Sequence, residues 1–295
     1  MKLQWGRRQT SDTSHDTQTQ PDNLFFPKSF LKMTQLDEGQ KKQLSGFLKA
    51  GIFVLAAIIA GVGAYRFLPM AAVVVSGNAK KELPIYCVNT EEKKVALSFD
   101  AAWGNEDTQA ILDILKKYDV RVTFFMTGGW IEKYPEDVKA IAAAGHDLGN
   151  HSENHKQMSK LSAEECIEEI MKPHEKVKEL TGQEMILFRP PYGDYNNTLI
   201  SAVRECGYHC IQWDVDSLDW KDYGTDSIIR TVLNHKHLGN GSIILCHNGA
   251  KFTKDALESI ITGLQDQGYT IVPISELIYT EDYYMDHEGR QFQNQ

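Results

Sequence analysis

The order of apolar and polar positions divides the chain into regions of different character. Residues 1–45 are polar, mixed in charge and without a sustained apolar period, which is typical of a flexible tail. From Ala50 to Tyr65 the chain is uncharged, and apolar residues continue beyond Arg66 as far as Val75. About twenty apolar residues suffice to cross a bilayer. We therefore predict a cytoplasmic tail over 1–45, a transmembrane signal anchor over 46–75 and a stem over 76–92.

Two other interpretations of the apolar segment are weaker. A buried core helix is disfavoured because the segment is apolar on all sides and its flanks offer nothing to cover it. A cleaved signal peptide is disfavoured because the segment begins far from Met1 and lacks a clear A-x-A site, although translation from Met33 would give a more conventional leader. Lysine and arginine are balanced across the segment, so the positive-inside rule selects no orientation.

Beyond residue 92, short β-rich runs alternate with amphipathic segments. The strand-like runs are residues 94–100, 121–126, 147–150, 186–189, 209–215, 242–246 and 269–272. Ser162 and Glu165 form a capping box, and Gly182 falls where the helix that follows should end. About seven strands separated by helices predict an α/β domain with a parallel sheet over 93–279, either a (β/α) barrel or a doubly wound sheet. Residues 280–295 are polar and are expected to form a mobile tail.

Composition excludes several classes of function. The 295 residues carry a net charge of −9 with no run of lysine and arginine, which argues against a nucleic-acid partner. No glycine-rich loop follows the first strand, so a nucleotide-binding Rossmann domain is disfavoured. The five cysteines have no C-x-x-C spacing, and neither a zinc knuckle nor a redox motif is present.

Polar residues stand at the ends of the strand-like runs, where a packed core would reject them. They are Asp100, His151, Arg189, Asp214 with Asp216, and His247. In a (β/α) barrel the carboxyl ends of all strands open on one face, and active sites are built there. We therefore expect these side chains to converge on one site.

Two short patterns add chemistry to this face. His151 and His155 are four residues apart in H-S-E-N-H, a spacing that lets two imidazoles share a metal ion. Alone the spacing is weak evidence in a chain with ten histidines, but a strand end beside Asn150 favours a metal site. Asp219 precedes Trp220, which places a carboxylate able to polarise a histidine beside an indole able to wall a pocket.

These segments, in this order, resemble the NodB homology domain of the polysaccharide deacetylases, carbohydrate esterase family four. The matching segments are Ser98–Asp100, His151–His155, Arg189–Gly193, Asp216–Trp220 and Leu245–His247. The likeness extends over essentially the whole globular body and implies a distorted (β/α) barrel of about seven parallel strands. The details look closest to the sporulation-associated, membrane-anchored branch.

The resemblance implies catalytic roles for four residues. Asp100 is expected to take the proton of the attacking water as general base, and His247 to protonate the departing amine as general acid. Arg189 is expected to orient Asp100, and Asp219 to tune His247.

The resemblance also implies metal-binding and substrate-binding residues. His151 and His155 are expected to bind a divalent metal, zinc or cobalt, which polarises the acetamide carbonyl and activates a water. The backbone N–H of Tyr192 is expected to help hold the oxyanion. Trp220 and Leu245 are expected to line the pocket for the acetyl methyl group.

The chain departs from the family pattern at one position. The family has two consecutive aspartates after the first strand, and the second is a metal ligand, but here Asp100 is followed by Ala101. Asn105, Glu106 or Asp107 in the same loop are candidate replacements, and Glu106 is favoured on chemistry. Otherwise two histidines and water hold the metal, or the metal is absent.

The leading hypothesis is therefore an N-deacetylase of an amino-sugar polymer, peptidoglycan or a chitin-like glycan. The expected protein is single-pass in the cell membrane, with its catalytic domain outside the cytoplasm. A glycan-binding or morphogenetic protein that has lost its metal is an alternative motivated by Ala101, and an O-deacetylase of a xylan-like polymer is another.

Overall fold

The computed structural model describes residues 37–39, 41–43, 45–49, 51 and 81–294, and the chain divides into two compact units, Met1–Gly77 and Asn78–Gln295. In the first unit the described residues from 38 onward are helical. None of the helices within the described ranges is both long enough and apolar enough to cross a membrane. Most of the predicted anchor, residues 52–75, lies outside those ranges.

The second unit is built around a parallel sheet. Its strands are β2 (Lys94–Ala101), β3 (Thr123–Met126), β4 (Asp147–Asn150), β5 (Leu187–Phe188), β6 (His209–Cys210), β7 (Val215–Asp216), β8 (Ile243–His247) and β9 (Thr270–Val272). Neighbours follow the order β6-β5-β4-β3-β2-β8-β7, with β9 also paired to β2, and every pair is parallel. Followed around a ring, this is the strand order of a (β/α) barrel with one open seam, between β6 and β7. The parallel sheet curls into a half-barrel, which confirms the prediction of a distorted barrel of about seven parallel strands.

A short segment of the chain fills the open seam. Ile85 bridges Ile211 just after β6, and the backbone N–H of Gln212 donates to the carbonyl of Ile85. On the other side, Cys87 bridges Ser242 in the antiparallel sense, just before β8 begins. Backbone groups that an open barrel would leave unpaired are satisfied by this segment, which includes β1 (Cys87–Val88).

Helices cover the outside of the curled sheet. They are α1 (Thr108–Lys117), α2 (Gly128–Lys133), α3 (Pro135–Ala143), α4 (Ala163–Thr181), α5 (Asn197–Glu205), α6 (Thr225–Leu233), α7 (Thr253–Asp266) and α8 (Ile274–Leu277). The predicted capping box is present at the start of α4, where Ser162 and Glu165 bond each other's backbone N–H groups. Gly182 ends the same helix in the left-handed conformation, φ 72°.

Alternation along β2 shows how the sheet separates core from site. Val95, Leu97 and Phe99 point into the layer between sheet and helices, where they join the larger apolar cluster. By the two-residue period of a strand, Ser98 and Asp100 point to the opposite, inner face. The carboxylate of Asp100 is thereby delivered inside the curl, at the carboxyl end of the strand.

The prediction of a mobile carboxyl-terminal tail is wrong for most of its length. Residues 283–293 form β10 (Tyr283–Met285) and β11 (Arg290–Gln293), which pair antiparallel, and β11 pairs parallel with β1. Gln291 is fully buried and exchanges hydrogen bonds with the backbone of Tyr279. A polar sequence is ordered here because its backbone completes a three-stranded sheet and its one buried amide is satisfied.

Candidate active site

Asp100 and Arg189 form a buried ion pair at the carboxyl ends of their strands. A guanidinium nitrogen, Nη1, lies 2.8 Å from Oδ1 of Asp100, and Nη2 donates to the carbonyl of Gln212 at 3.2 Å. The guanidinium also lies over the ring of Phe125, 4.1 Å from its centroid. Arg189 is completely buried and Asp100 is 5% exposed. The structure thus places Arg189 where the sequence predicts it, fixing the orientation of the Asp100 carboxylate.

The partners of Asp100 decide its ionisation. Burial alone would raise the pKa of Asp100, but the charge and hydrogen bond of Arg189, with smaller contributions from the nearby imidazoles, hold it below its ordinary value. Asp100 is therefore a carboxylate at neutral pH, with Oδ1 bonded to Arg189 and Oδ2 directed toward His151.

His151 and His155 lie together beside this carboxylate. Nδ1 of His151 is 2.7 Å from the carbonyl of Arg189, so the ring donates there and carries its free lone pair on Nε2, 3.5 Å from Oδ2 of Asp100. The two imidazole centroids are 4.9 Å apart with the rings edge to face. Burial lowers the pKa of His151 to about 4 and also lowers that of His155, so both rings are neutral at pH 7.

These residues do not complete a three-ligand zinc or cobalt site. A neutral imidazole held by a backbone carbonyl is what a metal-ligating histidine needs, and His151 fits that description. However, a catalytic zinc takes three protein ligands, and within residues 81–294 and the few described residues before them no group of three His, Cys, Asp or Glu side chains is arranged to hold an ion. Ala101, at the position of the family's second aspartate, is completely buried in the apolar cluster with Phe99.

The predicted replacement ligand, Glu106, does not fill the gap. Its side chain is exposed and its carboxylate lies against the backbone of Gly104, in no group with the histidines. The neighbouring candidates are bonded elsewhere: Asn105 donates to Asp137 at 2.6 Å, and Asp107 accepts from the backbone N–H of Gly249. In this structure Glu106 therefore does not join the two histidines, because the loop turns these side chains toward its own backbone and α3.

His247 and Asp219 form the second charged pair. Nδ1 of His247 lies 2.7 Å from Oδ1 of Asp219, whose other oxygen accepts from the backbone N–H of His247 and from the hydroxyl of Thr253 at 2.6 Å. Asp219 is completely buried. Burial alone would lower the pKa of His247, but the hydrogen bond and charge of Asp219 outweigh it and raise the pKa above its ordinary value. The ring is held with Nε2 away from Asp219, protonated more readily than a free histidine.

The predicted substrate-binding residues differ in their exposure. Tyr192 is 66% exposed, has a left-handed φ of 61° and packs its ring 4.5 Å from that of His155. Trp220 is 50% exposed, one residue after Asp219, whereas Leu245 is 2% exposed within β8. A pocket wall at Leu245 would be formed by a residue that is already packed in the sheet.

Sequence reasoning misplaced one strand-end residue. Asp214 precedes β7, and its carboxylate accepts from the backbone N–H of Ile243 and the hydroxyl of Ser242 at the amino end of β8. Burial raises the pKa of Asp214 to about 6. Asp214 thus stands at the opposite end of β8 from His247, since the predicted long strand is interrupted between His209–Cys210 and Val215–Asp216.

Two residues at the site were not singled out from the sequence. Thr253, at the start of α7, donates to Asp219 and is completely buried. Trp103 is 50% exposed and lies 5.1 Å, centroid to centroid, from the ring of His247. The available signal for Trp103 was a large aromatic residue in the loop directly after the strand that ends at Asp100.

Comparison with known proteins agrees with this geometry. The family model for polysaccharide deacetylase matches residues 88–211. The Bacillus subtilis peptidoglycan-N-acetylmuramic acid deacetylase PdaA is 33% identical over 67% of this chain and 76% of that protein. The uncharacterized Bacillus subtilis protein YlxY is 35% identical over 66% of this chain, which spans only 60% of YlxY.

A solved structure adds a functional contrast. A protein from Bacillus anthracis described as a CE4 family pseudoenzyme superposes with a TM-score of 0.64 at 31% identity, covering 72% of this chain and 73% of that one. The fold, the two charged pairs and the relatives together place the chain in the polysaccharide deacetylase family, whose enzymes are hydrolases acting on carbon–nitrogen bonds.

Proposed function

We propose that this protein is an N-deacetylase of an amino-sugar polymer of the cell wall, with peptidoglycan as the first candidate substrate. The observation that carries the proposal is the register of β2 against β8, in which Asp100 and His247 are directly paired. Adjacent strands lie about 4.8 Å apart, so a carboxylate and an imidazole, each with its own buried partner, stand side by side at one strand end. Two neighbouring groups whose surroundings make one a base and the other an acid suit hydrolysis of an amide.

The chemistry follows from these two groups. Asp100, ionised and fixed by Arg189, takes a proton from the water that attacks the acetamide carbonyl. His247, protonated at Nε2 and held by Asp219, gives a proton to the nitrogen as its bond to the carbonyl carbon breaks, and acetate and the free amine result. We assign the backbone N–H of Tyr192 to the developing oxyanion and Trp220 and Leu245 to the acetyl pocket on the strength of the family resemblance.

Localisation is a further part of the proposal. A peptidoglycan substrate lies outside the cytoplasmic membrane, and the uncharged apolar run from Ala50 to Tyr65 has the composition of a membrane anchor. We therefore propose a single-pass protein with its deacetylase domain outside the cytoplasm, in the sporulation-associated branch that the sequence motifs resemble. The names of the peptidoglycan deacetylases among its relatives support the substrate class.

The test is release of acetate by the full-length protein in detergent, with peptidoglycan, an N-acetylglucosamine tetramer and acetylated xylan as substrates. We expect release from the amino-sugar substrates, and a loss of at least about 100-fold in Asp100→Asn and in His247→Ala. Asp214→Asn is the matched control, since this carboxylate lies at the other end of β8 and should leave the rate unchanged. Full activity in either site variant would refute the assigned roles, and release from xylan alone would make the protein an O-deacetylase.

A second candidate function rests on Ala101. Because the two imidazoles lack a third protein ligand and a relative of the same fold is described as a pseudoenzyme, a glycan-binding protein without turnover is the alternative. Assays with zinc, cobalt or a chelator, together with equilibrium dialysis of wild type against the His151→Ala/His155→Ala double variant, separate the two. Equal metal content in both proteins and no acetate release would favour the binding protein.

A further inference from the structure

Exposed aromatic side chains are concentrated on the catalytic face. Within residues 81–294, six large apolar side chains are exposed, and four of them follow the carboxyl ends of barrel strands. These four are Trp103, Tyr192, Trp220 and Tyr223. Large apolar groups left in water at one place mark a binding surface more often than scattered ones do. The face around Asp100 and His247 is therefore built to receive a ligand with apolar as well as polar surface.

The loop that carries Trp103 is fixed by hydrogen bonds of its neighbours, and none of these bonds involves the indole of Trp103. The carbonyl of Gly104 accepts from Nε1 of Trp130 and from Nδ2 of Asn248, at 3.2 and 3.1 Å. Asp107 accepts from the backbone N–H of Gly249 at 3.0 Å. The loop is thus fastened both to α2 and to the residues that follow His247, while the indole N–H of Trp103 donates to no acceptor within the described part of the chain. A rigid support with a free, half-exposed indole is the arrangement of a recognition residue.

The position of Trp103 limits which part of a substrate it can bind. One side of the indole is packed against His247, with centroids 5.1 Å apart and planes inclined by 31°. That spacing is van der Waals contact between rings, and no sugar fits between them. A pyranose on the open side of Trp103 is consequently a different ring from the one whose acetamide lies at His247.

We propose that the exposed face of Trp103 binds the neighbouring pyranose ring of the glycan chain, which makes Trp103 a determinant of polymer over monomer recognition. This inference rests on the proposed function for the identity of the ligand. The axial C–H groups of a pyranose present an apolar face that stacks on an indole, and the free indole N–H is available to a sugar hydroxyl. Trp103 touches substrate and takes no part in proton transfer.

Binding is measured by isothermal titration in the Asp100→Asn background of the full-length protein, so that no acetate is released during the titration. Trp103→Ala should weaken binding of an N-acetylglucosamine tetramer about tenfold, with Trp103→Phe retaining most of the affinity and the monosaccharide unaffected by either change. Tyr284→Ala is the matched control, since this aromatic residue is 52% exposed but lies on β10. In the wild-type background, Trp103→Ala should raise KM for the tetramer with kcat and the pH profile unchanged.

Equal affinity of the tetramer for the parent and for Trp103→Ala overturns the inference, as does a parent that does not bind the tetramer. A pH profile displaced by Trp103→Ala also overturns it, because the residue would then act through His247. Absence of acetate release from the wild type with tetramer binding intact refutes only the proposed function.

Discussion

At the scale of single residues, buried partners set the ionisation of the two groups that the proposed reaction uses as base and acid. Asp100 and His247 are paired across β2 and β8, yet each has its own buried partner of opposite charge. Arg189 keeps the carboxylate ionised, and Asp219 keeps the imidazole protonated to higher pH than usual. The two ionisations are thereby separated in the direction that hydrolysis of an amide needs.

Replacing Asp219 by asparagine tests this division. The variant removes the hydrogen-bonded charge that raises the pKa of His247, so the pKa should fall and the protonated ring should be lost at lower pH. We expect the alkaline limb of the pH profile of kcat/KM to move toward acid pH, with a lower rate at pH 7. The ring protons of His247 should report the same displacement in an NMR titration.

A neighbouring carboxylate supplies the comparison for this experiment. The charge of Asp216 also raises the pKa of His247, but its side chain accepts from the backbone N–H of Leu218 and does not contact the ring. Asp216→Asn should move the profile much less than Asp219→Asn. Equal shifts in the two variants would mean that overall charge, and not the direct contact, sets the pKa of His247.

Site residues at strand ends can be predicted from the sequence, because a polar residue directly after a buried apolar run is seldom needed for packing. That rule located Asp100, His151, Arg189 and His247. It could not resolve Asp214, because the interruption of its predicted strand depends on pairing with β8, a contact distant in sequence.

Loop residues were predicted poorly for a related reason. Glu106 was chosen for its chemistry, but where a loop directs its side chains is set by hydrogen bonds such as those from Trp130 and Asn248 to Gly104. Trp103 is positioned by the same bonds, and none of them leaves a periodic pattern in the sequence.

At the scale of elements, the sequence predicts local features well but does not predict the segment that fills the open seam. The capping box of Ser162 and Glu165 depends on residues three apart, and the structure contains it. By contrast, the segment around Ile85 reaches Ile211 and Ser242, more than a hundred residues away. This segment pairs mainly through its backbone with both sides of the seam, so it leaves no alternation of apolar and polar positions that would predict it.

Gly241 makes this seam possible, and Gly241→Ala should be strongly destabilising. Its carbonyl accepts from the N–H of Val88, its φ is 80°, and a Cβ built on it would lie 1.9 Å from the carbonyl oxygen of Val88. We expect a loss of roughly 2–4 kcal/mol in the free energy of unfolding, combining backbone strain with a clash that only displacement of β1 could relieve. Urea unfolding followed by circular dichroism measures it.

Gly129→Ala is the matched control for this substitution. Gly129 lies within α2, its φ is not positive, and a Cβ there would meet nothing within 4 Å. The change should be neutral or stabilise by up to about 1 kcal/mol, since alanine favours helix more than glycine does. If Gly241→Ala were tolerated as well as Gly129→Ala, the segment filling the seam would not be needed for stability.

At the scale of the whole molecule, two buried groups away from the groove give stability opposite dependences on pH. Burial lowers the pKa of His146 to about 4, and its Nδ1 accepts from the backbone N–H of Val122. Between about pH 4 and the ordinary value of 6.5 the unfolded chain therefore binds more protons at this residue than the folded protein does. The stability that neutral His146 contributes is complete above pH 6.5 and is lost as the pH falls toward 4.

Asp214 acts in the opposite direction over nearly the same range. Its pKa is raised from 3.8 to about 6, so between these values the folded protein binds the extra proton. The stability contributed by protonated Asp214 is complete below pH 3.8 and is lost as the pH rises through 6. One pKa unit corresponds to about 1.4 kcal/mol, which gives each residue an upper limit of about 3 kcal/mol.

Two substitutions separate these contributions. Asparagine at 146 keeps an acceptor for the N–H of Val122 but cannot titrate, so the free energy of unfolding of His146→Asn should fall less than that of the wild type between pH 6.5 and 4. In Asp214→Asn the amide oxygen still accepts from the backbone N–H of Ile243. We expect the free energy of unfolding of this variant to rise relative to that of the wild type as the pH rises from 4 to 7, by up to about 3 kcal/mol. Urea unfolding at half-unit intervals of pH measures both differences. Differences from the wild type that do not change with pH, or that change in the same direction, would mean that burial of these groups does not govern the acid stability of the domain.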